Sequence, residues 1–448
     1  MASAAEQLAA NLNFGSFAKA DELKKRLWFT LLMLVVYRFC TYVPLPGVDP
    51  VALDQFFEAQ RQLGGGILDV VNVFSGGALE RMSIIALNIM PYISASIIMQ
   101  LLTAMSPTLG QLKKEGEAGR KKINQYTRYG TVLLTAVQGY GLALSLEGQN
   151  LVTDPGLFFQ ASTVITLVGG TLFLMWLGEQ ITARGIGNGI SLIILAGIVA
   201  EMPRALAQTL SLGEQGVLSP LAIIGLFVGA VALIYIIVFV ERAQRRITIQ
   251  YPKRQMGNRM FQGDTSHLPL KLNTAGVIPP IFASSLLLMP ITVAGFAAGG
   301  QGETPGWVNS FTALLGPGQP LYLLLFVTGI IFFAFFYTAI VFNPEDTAEN
   351  LKKHGGFIPG IRPGKRTAEY LEYVLTRLTV VGSLYLAAVC AIPEVLRGQA
   401  IIPFALGGTS LLIMVSVTMD TVAQIHSHLL AHQYEGLIKK AKLRGGRR

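Results

Sequence analysis

The chain of 448 residues is 52% hydrophobic and 14% charged, with mean hydropathy +0.51 and a formal net charge of +9. A soluble domain carries about a quarter of its residues as charges, so a soluble enzyme or binding domain is excluded and a membrane protein is indicated. The apolar runs are long and do not alternate, which argues against an outer-membrane barrel of roughly ten-residue strands.

A bilayer core takes about 20 apolar residues per helix. Ten runs approach that length: 27–43, 83–104, 129–146, 159–178, 190–202, 219–240, 275–296, 321–342, 373–393 and 403–425. The predicted class is an all-α polytopic membrane protein. Residues 1–22 lack an apolar core and the first run follows Lys24, Lys25 and Arg26 directly, so no cleavable signal peptide is expected. With the N-terminus in the cytoplasm, ten spans return the C-terminus there. Of 35 Lys/Arg, 30 then lie in cytoplasmic segments, and only Arg61, Arg81, Arg204 and Arg397 lie outside. That asymmetry is the positive-inside pattern. Arg38 falls toward the outer end of the first run, where its side chain can reach the interface.

The second run has a polar, glycine-rich prefix: Phe74 to Met99 reads "FSGGALERMSIIALNIMPYISASIIM". Ile85, Ile89 and Ile93 recur one turn apart beside Asn88, Pro91, Ser94 and Ser96, a composition too polar for a helix facing lipid. The seventh run, 275–296, repeats the pattern: "IMPYISAS" (Ile89–Ser96) aligns with "VIPPIFAS" (Val277–Ser284), each in the second span of a set of five. Five is odd, so the two sets run oppositely through the membrane, as in an inverted repeat whose halves meet near the midplane. An aliphatic constriction there gates a watery path by dewetting and coordinates nothing.

Two cytoplasmic loops are long. Segment 241–274 begins "VERAQRRITIQYPKRQ", where Ile247 and Ile249 alternate with polar residues before Tyr251-Pro252, predicting a hairpin. Segment 343–371 carries prolines and glycines around Arg362, predicting a stiff tip between helical stems. Their length and punctuation exceed what topology requires and suggest a docking surface for an acidic partner.

Enzyme motifs are lacking. "RGIGNGIS" (Arg184–Ser191) fails the dinucleotide spacing, and no G-x-x-x-x-G-K-[ST] occurs. His426, His428 and His432 have no partnering carboxylate pattern for a metal, and Cys40 and Cys390 lie in apolar runs without metal or disulfide spacing. Glu179, Glu241, Glu345 and Glu394 fall at helix ends and only Asp420 lies well inside a span. A proton-coupled secondary transporter of small solutes, the alternative class, usually keeps buried carboxylates at midspan.

The stretches "FSGGALERMSIIALNIMPYISASI", "KKEGEAGRKKINQYTRYGT", "MWLGEQITARGIGNGIS", "ERAQRRI", "NTAGVIPPIFASS", "FNPEDTAENLKKHGGFIPGIRPG" and "PFALGGTSLLI" resemble the SecY family, the channel subunits of the bacterial Sec protein translocase, from about Asp21 to Lys442. The resemblance implies ten helices in two inverted halves around a pore, no cofactor and a place in the bacterial inner membrane. The halves correspond to 23–218 and 219–427, flanked by a cytoplasmic segment 1–22 and a basic tail 428–448. It implies a plug over 69–81, including Asp69, Phe74, Gly76, Gly77, Leu79 and Arg81, on a short helix with sparse apolar surface that leaves its seat easily. It places a pore ring at Ile89, Ile93, Ile194, Ile281 and Ile413 and a lateral gate at Pro91, Ser94, Ser96, Pro279, Ser284 and Met289. Partner docking falls to Arg245, Arg246, Lys253, Arg254, Lys352, Lys353, Arg362 and Lys365. The implied partners are SecE- and SecG-type small membrane subunits, the SecA ATPase, the ribosome, signal-sequence-bearing polypeptides and anionic lipids.

Overall fold

The structure, a computed structural model, describes residues 21–62, 72–216, 218–251, 254–256, 259–261, 265–287, 314, 319–399 and 407–445. These form thirteen helices and two small two-stranded sheets. In order they are α1 (Asp21–Cys40), α2 (Pro50–Gln62), α3 (Met90–Met105), α4 (Pro107–Lys114), α5 (Glu117–Gly148), α6 (Leu157–Arg184), α7 (Gly189–Glu214) and α8 (Pro220–Arg242). Strands β1 (Gln244–Gln250), β2 (Arg254–Met256), β3 (Arg259–Phe261) and β4 (Thr265–Lys271) follow. The chain continues with α9 (Ile278–Leu287), α10 (Pro320–Val341), α11 (Pro344–Lys353), α12 (Lys365–Gln399) and α13 (Gly408–Gly445).

Each of the ten predicted runs overlaps a helix among the described residues. Among the described residues six helices are long and apolar enough to span a bilayer, and the bent pair α3–α4, with 104° between its members, makes a seventh. The boundaries differ where proline and asparagine act. The second run predicts helix over 83–104, yet 84–89 run as turns and α3 starts at Met90. Asn88 takes φ +49°, a left-handed value that asparagine tolerates and that interrupts a right-handed helix. Pro91 then sits in the first turn, where its missing N–H leaves no bond unmade. Conversely, Pro203 and Pro393 do not end their helices: α7 runs on to Glu214 and α12 to Gln399. A membrane helix tolerates proline where neighbouring groups re-satisfy the freed carbonyl.

The described residues gather into two compact units, one holding those up to Glu201 and those from Val417 onward, the other those from Met202 to Ser416. In the first, α3 and α6 pack on α5, and α1 packs on α6. Lipid offers no hydrophobic drive to helix association, so close backbone approach at small residues does the packing. Gly170 lies against the Ile84 carbonyl and Gly189 against that of Gly178, with no room for a methyl group at either. On α5 the buried Thr127, Thr131 and Thr135 each donate to the carbonyl four residues back, at 3.0, 2.8 and 2.7 Å, so no hydroxyl on this face is orphaned. At one end of this pair Arg128 reaches both oxygens of Glu179 at 2.7 Å. The 185–188 turn is clasped by α1 and α13: Ile186 N–H donates to Thr30 Oγ1 at 3.0 Å and Gly187 N–H to Gln424 Oε1 at 2.8 Å.

In the second unit, β1 and β4 pair antiparallel with Ile247 opposite Leu268, forming the predicted hairpin. Ile247 and Leu270 bury with Ile358 and Leu371 in one apolar cluster, so the hairpin packs on the loop after α11 and on α12. Backbone pairing reinforces this contact: Gln250 N–H donates to the Phe357 carbonyl at 2.9 Å, and Phe357 N–H returns to Gln250 at 3.0 Å. The two long loops are one platform.

Candidate functional site

The segment preceding α3 is closely held within the first unit. It comprises one helical turn, 72–75, and then a succession of turns to Ile89. The stretch expected as a plug falls here, and its described part carries more buried apolar surface than the sequence suggests. Among the described residues of this stretch, 72–75 are helical, and Val73, Phe74, Ala78, Leu79 and Met82 are all buried. The glycines explain the shape: Gly76 and Gly77 have φ +65° and +79°, which end the turn at once. Asn72 closes the resulting loop. Its Nδ2 donates to Glu80 Oε2 at 3.2 Å and its Oδ1 accepts the Glu80 N–H at 3.0 Å.

A helix that ends at Ser75 leaves its last carbonyls without intrahelical partners. Three successive ones are met by side chains from elsewhere in this unit. Asn88 Nδ2 donates to the Phe74 carbonyl at 2.6 Å, Tyr37 Oη to that of Ser75 at 3.2 Å, and Arg38 Nη1 to that of Gly76 at 2.8 Å. Arg38 thus turns to the 72–83 segment, where charge placement alone suggested that it reaches for the interface. Its guanidinium also lies 5.5 Å from the Tyr42 ring centroid, and that of Arg81 lies 4.3 Å from the same ring. Beneath the segment, Gly197 of α7 touches backbone: a Cβ there would stand 2.8 Å from the Phe74 oxygen and 3.3 Å from Gly76 N. Gly77 faces the buried Glu201 and the Arg81 guanidinium in the same way.

Of the predicted plug residues, Phe74, Gly76, Gly77 and Leu79 are buried and Arg81 is half-buried, while Asp69 lies outside the described residues. In the first unit Ile89, Ile93 and Ile194 are buried, with Ile93 N–H bonded to the Ile89 carbonyl at 3.1 Å. In the second, Ile281 and Ile413 are buried. Pro91 and Ser94 are buried and Ser96 is half-buried. Pro279 is buried, as is Ser284, whose hydroxyl donates to the Ile281 carbonyl at 2.9 Å; Met289 lies outside the described residues. Among the described residues no group of three His, Cys, Asp or Glu is arranged to hold a metal ion.

On the platform, Arg245 and Arg246 are exposed on β1, and Lys352, Lys353, Arg362 and Lys365 are exposed around the tip. Arg254 lies in β2 and Lys253 outside the described residues. Local chemistry stiffens the tip. Asn343 caps α11 by accepting the Glu345 N–H at 3.0 Å, and buried Thr367 donates to the Arg362 carbonyl at 3.0 Å. Gly360 and Gly364 take φ +82° and +107° on either side of Arg362. Next to it α10, α11 and α12 enclose a groove of about 780 Å³ whose polar wall holds Glu345, Glu349, Lys352, Lys365, Glu369 and Glu372. Counting basic residues missed these carboxylates, although their spacing along two helices was visible. Tyr37 and Gly197 were missed as well, because each looks like an ordinary residue of an apolar run, and Asn88 was noticed only as a polar residue on a helix face.

A family model for SecY matches residues 83–422. The protein translocase subunit SecY of Pseudomonas aeruginosa is 57% identical over 427 residues, which cover 95% of each chain. Among solved structures, a SecY channel whose plug domain is described as stabilising the closed state and maintaining a membrane seal aligns with TM-score 0.60 at 18% identity, over 91% of this chain and 92% of that one. Sec61 from the canine ribosome-channel complex of the endoplasmic reticulum aligns with TM-score 0.60 at 17% identity, with the same coverage. The helical fold, the match over most of the chain and the level of identity agree: this chain belongs to the SecY family.

Proposed function

We propose that this chain forms the path along which unfolded polypeptides cross the bacterial inner membrane and from which apolar segments leave sideways into lipid. Membership of a family of protein-translocating channels sets aside the small-solute transporter and any enzymatic role. The observation that carries the reading is the 72–83 segment: in a membrane-channel chain, residues contiguous with a span are folded as a separate buried loop whose backbone is tied down by polar contacts. A loop so held is suited to act as a displaceable seal.

Ile89, Ile93, Ile194, Ile281 and Ile413 form the constriction in this reading, and their burial in both units supports it. A ring of branched aliphatics makes no specific bond, which suits a substrate of variable chemistry. Pro91, Ser94 and Ser96 on one side and Pro279, Ser284 and Met289 on the other border the lateral gate. Transfer of a central Leu or Ile to lipid is favourable by about 0.3–0.6 kcal/mol, so an opened seam sorts segments by their sum. The channel supplies no driving energy. The exposed cations of the platform therefore receive the pusher, a SecA-type ATPase or a ribosome, and small SecE- and SecG-type subunits complete the assembly. N- and C-termini face the cytoplasm, where basic segments meet anionic headgroups.

Deleting residues 69–81 tests the reading. Export of a passenger with a weakened signal sequence is expected to rise while export of a normal passenger persists. Unchanged discrimination in a deletion variant that still accumulates in the membrane would refute the seal.

A further inference from the structure

Three side chains donate to successive carbonyls of the 72–83 segment. We propose that Tyr37, Arg38 and Asn88 are a polar latch whose release is a condition for opening, so that they are positioning residues for the gate. The inference rests on reading residues 69–81 as a movable seal.

Their arrangement is difficult to explain by packing alone. The carbonyls of Phe74, Ser75 and Gly76 are consecutive, and each takes one donor from a different side chain. Tyr37 is fully buried and Asn88 almost so, and the Phe74 and Ser75 they bond are buried too. In such a site an unmet carbonyl has no water to turn to. The donors come from two elements, α1 and the lead-in to α3, so the latch ties the seal to the walls beside it and not to itself. Backbone conformation contributes at one of the three: Asn88 adopts φ +49° and thereby aims its amide back at Phe74, fourteen residues earlier.

The latch is also short of full satisfaction. Asn88 Oδ1 is buried without a hydrogen-bond partner. Rotating the amide would bring that oxygen against the Phe74 carbonyl oxygen, so the orientation described is the favourable one. An orphan acceptor in the closed state offsets part of the 2.6 Å bond. Asn88 therefore holds firmly enough to position the loop and weakly enough to let it go, whereas Tyr37 provides the cleaner hold. The contacts are to main-chain oxygens, so the latch tolerates side-chain change within the seal.

The test uses the intact translocase complex in vesicles, with Cys40 and Cys390 replaced by alanine and a reporter Leu79→Cys in the seal. Leu79 is buried, so a polar, membrane-impermeant maleimide reacts with the reporter only when the segment leaves its seat. Tyr37→Phe keeps the ring and removes one donor. Asn88→Gly keeps the left-handed backbone and removes the amide. A net hydrogen bond of ordinary strength corresponds to about 2- to 12-fold in an equilibrium. Tyr37→Phe is expected to raise the labelling rate within that range. Asn88→Gly alone gives the smaller rise, because it also removes the orphan oxygen, and the double variant exceeds either. Arg38 is left in place because it also lies over Tyr42. Labelling of the double variant at the reference rate, while deletion of 69–81 relaxes signal-sequence discrimination, overturns the latch alone. If the deletion leaves discrimination unchanged, the seal reading falls and the latch falls with it.

Discussion

Gly197→Ala isolates the steric side of the same seat. A methyl group there would stand 2.8 Å from the Phe74 oxygen, 3.2 Å from Tyr37 Oη and 3.3 Å from Gly76 N. The first distance falls well inside ordinary contact and involves backbone, so the 72–83 segment or α7 must give. Two effects compete in size. Alanine in a helix interior is favoured over glycine by about 1 kcal/mol, but α7 stays helical whether the segment is seated or not, so this term cancels from the opening equilibrium. The clash exists only in the seated state. Overpacking a tight site costs about 1–3 kcal/mol, comparable with the net value of two hydrogen bonds at roughly 1 kcal/mol each. The opening equilibrium is therefore expected to move by about 5- to 150-fold. Thermal stability should stay level or rise if the loop simply lifts away. Planar-bilayer conductance of the resting channel and export of a passenger with a defective signal sequence are the assays, and both should increase. Wild-type values for both in a Gly197→Ala variant would refute the packing described between α7 and the seal.

Replacing several of Ile89, Ile93, Ile194, Ile281 and Ile413 with serine is expected to admit water and raise resting ion conductance, read in the same bilayers; an unchanged closed state in a folded variant counts against the ring. Arg362→Glu should abolish partner-stimulated translocation in vesicles with insertion intact. Arg362→Lys should fall between, since it keeps the charge but loses the bidentate fork; equal rates for all three chains would rule out docking at the tip. Asn343→Ala removes the cap of α11 and should cost about 1 kcal/mol locally, seen as faster amide exchange over 344–353 with little change across α12. Glu179→Gln should change stability by less than about 1 kcal/mol, because its bond to Arg128 is largely exposed and screened; a larger thermal shift would show that the pair is structural.

The helical class was legible because the bilayer imposes one requirement on every span, and among the described residues six helices and one bent pair meet it. Their ends were less so. Pro91 stands in the first turn of its helix although the apolar run continues on both sides of it, whereas Pro203 and Pro393 lie inside helices that run on. The β1–β4 hairpin could be read from the alternation of Ile247 and Ile249, a purely local signal. The seat of the seal could not. Asn88 in an apolar run looks like a polar residue on a helix face, and nothing in the chain announces its left-handed backbone. Gly76 and Gly197 meet across 121 positions, and a glycine that makes room for distant backbone carries the same letter as one that bends its own. The platform's basic residues were visible by count, whereas the groove carboxylates beside them were hidden by attention to net charge.

The pairing of Gln250 with Phe357 has an evolutionary corollary. Two loops that share a strand-like bridge and one apolar cluster cannot drift in length or be transplanted independently. A chimera receiving only the 241–274 hairpin from a distant relative would leave Phe357 and the Ile358–Leu371 side of the cluster facing a foreign surface. Exchanging both segments together should preserve the joint. Insertions in one loop are then expected to be matched by compensating changes in the other.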